Sequence, residues 1–147
     1  MIKTSLTRSC TRIVLLVCTP LLLLLSNLYL VATPAFVRWE YVKPGFPAAE
    51  LYHGAERLSL AEATLHYLRS GETESYLASL QSQGQGVYNV RETKHLVDVK
   101  VLMFAAFRMH GVCALLCGLA IALSWRQPRR RAGALLALSR GCLGFLA

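Results

Sequence analysis

The sequence predicts an all-α, polytopic membrane protein whose transmembrane helices flank a small, mainly helical extracytoplasmic segment. Three observations predict it. The composition is 54% hydrophobic against 16% charged, with a mean hydropathy of +0.42, too apolar for an ordinary soluble domain of this length. Two stretches are apolar for long enough to cross a hydrocarbon core of about 30 Å at about 1.5 Å per residue. All eight acidic residues lie between Glu40 and Asp98, so the net charge of +8 comes from basic residues around the spans.

Residues 1–12 carry Lys3, Arg8 and Arg12 and read as a cytoplasmic N-terminus. Residues 13–36 follow without a charge and read as the first transmembrane helix. This run exceeds the roughly 7 to 15 apolar residues of a signal peptide, which favours a retained span over a cleaved one. Val17 before Cys18 argues against a lipoprotein signal, where a small residue belongs.

Residues 37–100 form the predicted extracytoplasmic segment. "VRWEYVKPGFPAAELY" holds two prolines and a glycine, which predicts an extended or turned path, with Trp39 and Tyr41 at headgroup depth. "LSLAEATLHYLRSG" predicts a helix opened by a Ser59/Glu62 capping box and ended before Gly71. A second short helix is expected over Thr73–Leu80, then a turn at Gly84 and Gly86. Asn89 and Glu92 repeat the capping pattern and start a helix at Val90 that meets no proline or glycine before Gly111. That helix is expected to run to Trp125, about 54 Å at 1.5 Å per residue, so its first turns stand beyond the hydrocarbon.

Residues 101–125 are the second predicted span. Residues 126–131 read as a basic cytoplasmic turn, and residues 132–147 as the start of an incomplete third span, which predicts a truncated chain. Inside the second span stand Arg108, an expensive charge in lipid, and His110, expected to hydrogen-bond within the bundle. The basic excess orients the protein and touches anionic lipid; nucleic-acid binding is not expected. Cys10, Cys18, Cys113, Cys117 and Cys142 avoid the 37–100 segment, so no disulfide framework is expected there, and Cys113 and Cys117 share a helix face as small packing residues. His53, His66, His95 and His110 are scattered, so no metal site and no cofactor are expected.

The chemistry-bearing cluster is "YNVRETKHLVDVK". On a helix Arg91, His95 and Asp98 fall at i, i+4 and i+7, one stripe. A carboxylate within a turn of an imidazole can orient it and leave the other ring nitrogen for proton transfer near neutral pH. The plainer alternative is a set of solvated ion pairs on a helix end, worth about 0.3 to 0.5 kcal/mol each.

"WEYVKPGFP", "AEATLHYL" and "YNVRETKHLVDVK" together resemble the lipoprotein intramolecular transacylases, a family of bacterial integral membrane proteins. The resemblance covers about Trp39 to Lys100, and the H-x-x-D-V-K block preceded by Y-N-x-R-E is its specific part. It implies an enzyme of the cell membrane that moves the sn-2 acyl chain of a diacylglyceryl-cysteine lipoprotein to its own α-amine, leaving a lyso-form. The implied partners are membrane lipid and the diacylated lipoprotein.

His95 matches the family's first catalytic histidine. Asp98, Arg91 and Lys100 match motif positions, and chemistry suggests their duties: Asp98 to orient His95, and Arg91 or Lys100, in contact with the substrate, to supply a donor to the developing oxyanion. The family has four spans and a second catalytic histidine that His53, His66 and His110 do not match. A non-catalytic membrane subunit, a lipid-binding protein and an inactive transacylase fragment therefore remain open, as does the oligomeric state.

Overall fold

The structure is a computed structural model that describes residues 2–47, 52, 54–125 and 128–146. The chain is mostly helical: α1 (Ile2–Val31), α2 (Pro34–Tyr41), α3 (Gly54–Arg69), α4 (Glu74–Ser79), a hairpin of β1 (Gln81–Ser82) and β2 (Gln85–Gly86), α5 (Val90–Trp125) and α6 (Pro128–Leu146). Among the described residues, Ser9–Val31 and Val90–Trp125 are long and apolar enough to cross a membrane. The chain divides into two compact units, Met1–Leu28 with Phe107–Ala147, and Tyr29–Ala106.

The first unit contains parts of α1 and α5 together with α6, packed around Leu15, Cys18, Cys113, Cys117, Ala120, Ala134 and Ala137. Cys113 and Cys117 do serve as small residues in this interface, as their i, i+4 spacing predicts. The packing orders the helices. Ser26 of α1 meets His110 of α5, with Oγ 3.0 Å from Nε2. Cys18 joins Cys113 and Cys117 further along, so α1 and α5 are antiparallel. α6 runs parallel to α1: Gly133 lies against Arg12, and Gly141 against Leu15 and Thr19.

Those two glycines sit at i and i+8 with Ala137 between them, a small-residue stripe that lets helix backbones approach closely. A Cβ at Gly141 would lie 3.0 Å from Thr19 Cβ and 3.1 Å from the Leu15 carbonyl oxygen. α6 begins at Pro128 rather than at residue 132, because a proline at the first helical position lacks only an N–H that would be unpaired there anyway. Arg129, Arg130 and Arg131 are thus its first turn, and the expected turn over 126–131 shrinks accordingly. With those arginines and Arg140, α6 is not long and apolar enough to count as a span over its described residues. Arg131 donates from Nε and Nη2 to the Trp125 carbonyl, at 3.3 and 3.0 Å, supplying a cation to the carbonyl end of α5.

The second unit is organised around α3. The expected span to residue 36 breaks at Ala32–Thr33, because Pro34 forces an extended residue before it. Thr33 takes that conformation (φ −118°, ψ 147°), and its Oγ1 accepts from the Phe36 amide at 3.3 Å. Residues 34–41 are therefore helix, not the extended path expected of "VRWEYVKPGFPAAELY"; Pro44 and Gly45 act only after Tyr41.

α3 starts at Gly54 with Ser59 already inside it, where Ser59 Oγ donates to the Glu56 carbonyl at 2.8 Å. The expected Ser59/Glu62 capping box is absent, and Glu62 pairs with Arg38 of α2 instead. Further ties radiate from α3. Glu56 accepts from Ser82 of the hairpin, and Arg69 donates to the Ala32 carbonyl at the end of α1. Thr64 Oγ1 meets the Tyr88 hydroxyl at 2.5 Å. Leu65, Tyr67 and Leu77 are the buried centre.

α4 spans Glu74–Ser79 behind Thr73 and falls within the expected Thr73–Leu80. The turn expected from "QSQGQG" is a two-residue hairpin loop, with Gln83 at φ 51° and Gly84 at φ 79°. Positive φ at both central residues is the type I′ geometry that matches the twist of paired strands.

Candidate functional site

α5 begins as its sequence dictates. The Asn89 amide donates to Glu92 Oε2 at 2.9 Å while the Glu92 amide donates to Asn89 Oδ1 at 3.0 Å, a reciprocal capping box. The cap fixes the rotation of the first turns. Tyr88, Asn89, Arg91, Glu92, His95 and Leu96 line one open depression of about 630 Å³. Arg91 and His95, one turn apart, both face it and are both solvent-exposed. Tyr88 is part of its lining, held by Thr64.

Asp98 is placed otherwise. It is exposed, it does not line the depression, and among the described residues no hydrogen bond or ion pair joins it to His95. The stripe expected at i, i+4, i+7 exists as helix geometry, but His95 and Asp98 are solvated singly and no orienting bond forms between them.

Lys100 is committed elsewhere. Its Nζ donates to the Glu72 carbonyl at 2.5 Å and lies 4.1 Å from the centre of the Tyr67 ring and 6.0 Å from that of Phe104. It ties the α3–α4 connection to α5 instead of facing the depression that His95 lines. Tyr67 is buried beneath it and stacks on Tyr76, with ring centres 6.4 Å apart. Burial, and secondarily the charge of Glu74, push the Tyr67 phenol above its ordinary pKa. The Arg38 guanidinium is pushed up as well, by its hydrogen bond to Glu62 and then by that carboxylate's charge.

The other histidines divide. His66 is exposed on α3, with Nε2 3.9 Å from Glu72 Oε1 and its ring 5.6 Å from that of Tyr76. His110 hydrogen-bonds within the bundle, as expected. Its partner Ser26 also donates to the Leu22 carbonyl at 2.7 Å, so the hydroxyl proton is engaged and the Ser26–His110 contact pins two helices. His53 lies outside the described residues. Among those residues no group of three or more His, Cys, Asp or Glu is arranged to hold a metal.

Sequence reading missed the Thr64–Tyr88 bridge, the Arg69 and Arg131 caps and the Gly133/Ala137/Gly141 stripe. Only the stripe has a readable signal, its G-x-x-x-A-x-x-x-G spacing. No family model, curated protein or solved structure matches the chain.

Proposed function

We propose that this chain is a polytopic acyltransferase of the bacterial cell membrane. It moves the sn-2 acyl chain of a diacylglyceryl-cysteine lipoprotein to the lipoprotein's own N-terminal α-amine and releases a lyso-form. The membrane reading is supported by large apolar side chains that remain exposed: Ile13, Leu16, Val17 and Leu24 on α1, and Val112, Leu115, Leu119 and Leu123 on α5. The basic residues at 1–12 and 126–131 support an orientation with those ends in the cytoplasm and residues 37–100 outside.

The observation that carries the catalytic reading is the shared depression of His95 and Arg91. His95 can take a proton from the α-amine nitrogen as it attacks the sn-2 ester carbonyl, because bond formation to carbon makes that N–H much more acidic. A C–N bond forms, and Arg91 stabilises the resulting oxyanion. On collapse the ester C–O bond breaks and His95 returns the proton to the glyceryl oxygen. Ester and amine belong to one molecule, so holding them together supplies much of the acceleration, and no acyl-enzyme is needed. Among the described residues Asp98, one turn on, makes no hydrogen bond or ion pair with His95, so the step is written without an orienting carboxylate.

The second reading, a non-catalytic membrane subunit or lipid-binding protein, is favoured by the missing His95–Asp98 bond and by the structural use of Lys100. Expression in a bacterium that makes diacyl lipoproteins, with mass spectrometry of the N-terminal lipopeptide, separates the two. The transacylase reading expects an N-acyl lyso-lipopeptide whose formation falls by about 10²-fold or more in His95→Ala. An unchanged lipopeptide despite full membrane insertion, or undiminished product from His95→Ala, supports the non-catalytic reading.

A further inference from the structure

Within the first unit, α1 and α6 flank an open groove of about 180 Å³ lined by Arg12, Ile13, Leu16, Gly133, Leu136, Ala137 and Arg140. Ile13, Leu16, Leu136 and Ala137 make the lining apolar, and the guanidinium groups of Arg12 and Arg140 are its cations. Gly133 is the reason Arg12 can lie there, since a Cβ at that position would come within 2.7 Å of Arg12 Nη2.

These two arginines need an anion that the protein does not supply. Residues 1–28 and 107–147 contain no Asp or Glu. Among the described residues neither Arg12 nor Arg140 makes a hydrogen bond or ion pair, although both are exposed. Arg140 lies about 18 Å along α6 from Pro128 at 1.5 Å per residue, and side chains on a helix lean toward its N-terminal end. Its guanidinium is therefore directed back toward the end where Arg12 lies against Gly133. A cation on an apolar helix face, without a carboxylate in its unit, calls for a ligand that brings negative charge and hydrocarbon together.

We propose that the α1–α6 groove binds one anionic phospholipid of the leaflet in which α6 begins. Its phosphate bridges Arg12 and Arg140, and an acyl chain lies along Ile13, Leu16 and Leu136. Guanidinium groups suit phosphate because their planar fork donates two parallel hydrogen bonds, and basic pockets between membrane helices recognise lipid headgroups in this way. The site involves none of the residues assigned to acyl transfer and rests only on the membrane part of that reading.

Native mass spectrometry of the full chain, released from mixed micelles of equimolar phosphatidylglycerol and phosphatidylcholine, tests it. The expected result is at least about fivefold preference for the anionic lipid, abolished in the Arg12→Gln/Arg140→Gln variant and largely kept in Arg12→Lys/Arg140→Lys and in Arg131→Gln. Equal retention of the two lipids by the parent chain, or an undiminished preference in the glutamine variant, overturns the proposal. Displacement of the lipid by an equal concentration of inorganic phosphate overturns it too, by making the site one for free anions. Circular dichroism checks the fold of each variant. If the glutamine variant does not fold, phosphatidylglycerol with a photoreactive acyl chain is crosslinked to the parent: adducts on residues 12–16 and 136–140 support the site, and adducts only elsewhere refute it. Fractionation of cells separates this failure from failure of the membrane reading, which would leave the chain out of the membrane altogether.

Discussion

Replacing Lys100 with methionine separates a structural cation from a substrate-binding one. The side chain keeps its length and packing, but the ammonium is lost. Two interactions disappear: the 2.5 Å hydrogen bond to the Glu72 carbonyl and the cation–π contact at 4.1 Å from the Tyr67 ring. A hydrogen bond from a charged donor contributes about 1.5 to 3 kcal/mol when well sheltered, and an exposed cation–π contact about 0.5 to 1 kcal/mol. Lys100 is half-exposed, so the low end applies, about 2 kcal/mol together.

At 1.4 kcal/mol per factor of ten, that is about a 25-fold rise in the opening of the α3–α4 connection. Hydrogen exchange reads it directly. Amides of residues 67–77 should lose about 25-fold in protection, while α6 amides, in the other unit, keep theirs. The structural assignment is refuted if protection over 67–77 is unchanged in Lys100→Met while acyl transfer is lost, which would return Lys100 to the oxyanion role that chemistry suggests for it.

Gly141→Leu should weaken the packing of α6 on α1 by about 1 to 3 kcal/mol, because its Cβ alone would already press on Thr19 Cβ and the Leu15 carbonyl. Thermal unfolding in detergent checks this; Gly144→Leu, where a Cβ meets nothing within 4 Å, is the control and should melt like the parent. The second unit should also lose stability in alkali. The Tyr67 phenol is held above its ordinary value of about 10, so the folded state keeps a proton that the unfolded chain gives up. Its contribution is complete below pH about 10 and is lost as the pH rises through the folded-state pKa. In Tyr67→Phe the alkaline loss followed by near-ultraviolet circular dichroism should be shallower, and an identical pH profile would exclude Tyr67 as its source.

What was legible in the sequence was local. Asn89 and Glu92 are three residues apart, and their mutual hydrogen bonds need only the chain's own first turn, so both the start of α5 and its unbroken run to Trp125 follow from the residues. α4 and the turn over Gly84 were readable for the same reason. Local rules failed where distant partners competed. Glu62, read as a capping residue, is taken by Arg38 twenty-four positions earlier, and Ser59 is left inside a longer helix. Thr33–Pro34 is a strong start signal, but the apolar run that continues through Phe36 masks it in the sequence.

The candidate site divides along the same line. The sequence by itself determined that Arg91 and His95 share a helix face, since four residues make nearly one turn. Only the tertiary structure decided which neighbours that face meets. Tyr88 is held beside it by Thr64 of α3, Lys100 is drawn off to Glu72 and Tyr67, and Asp98 stands alone. The α1–α6 groove is likewise invisible in sequence, because Arg12 and Arg140 are separated by most of the chain. Spacing along a helix is set by covalent geometry, whereas pairing between helices depends on which small residues let their backbones approach.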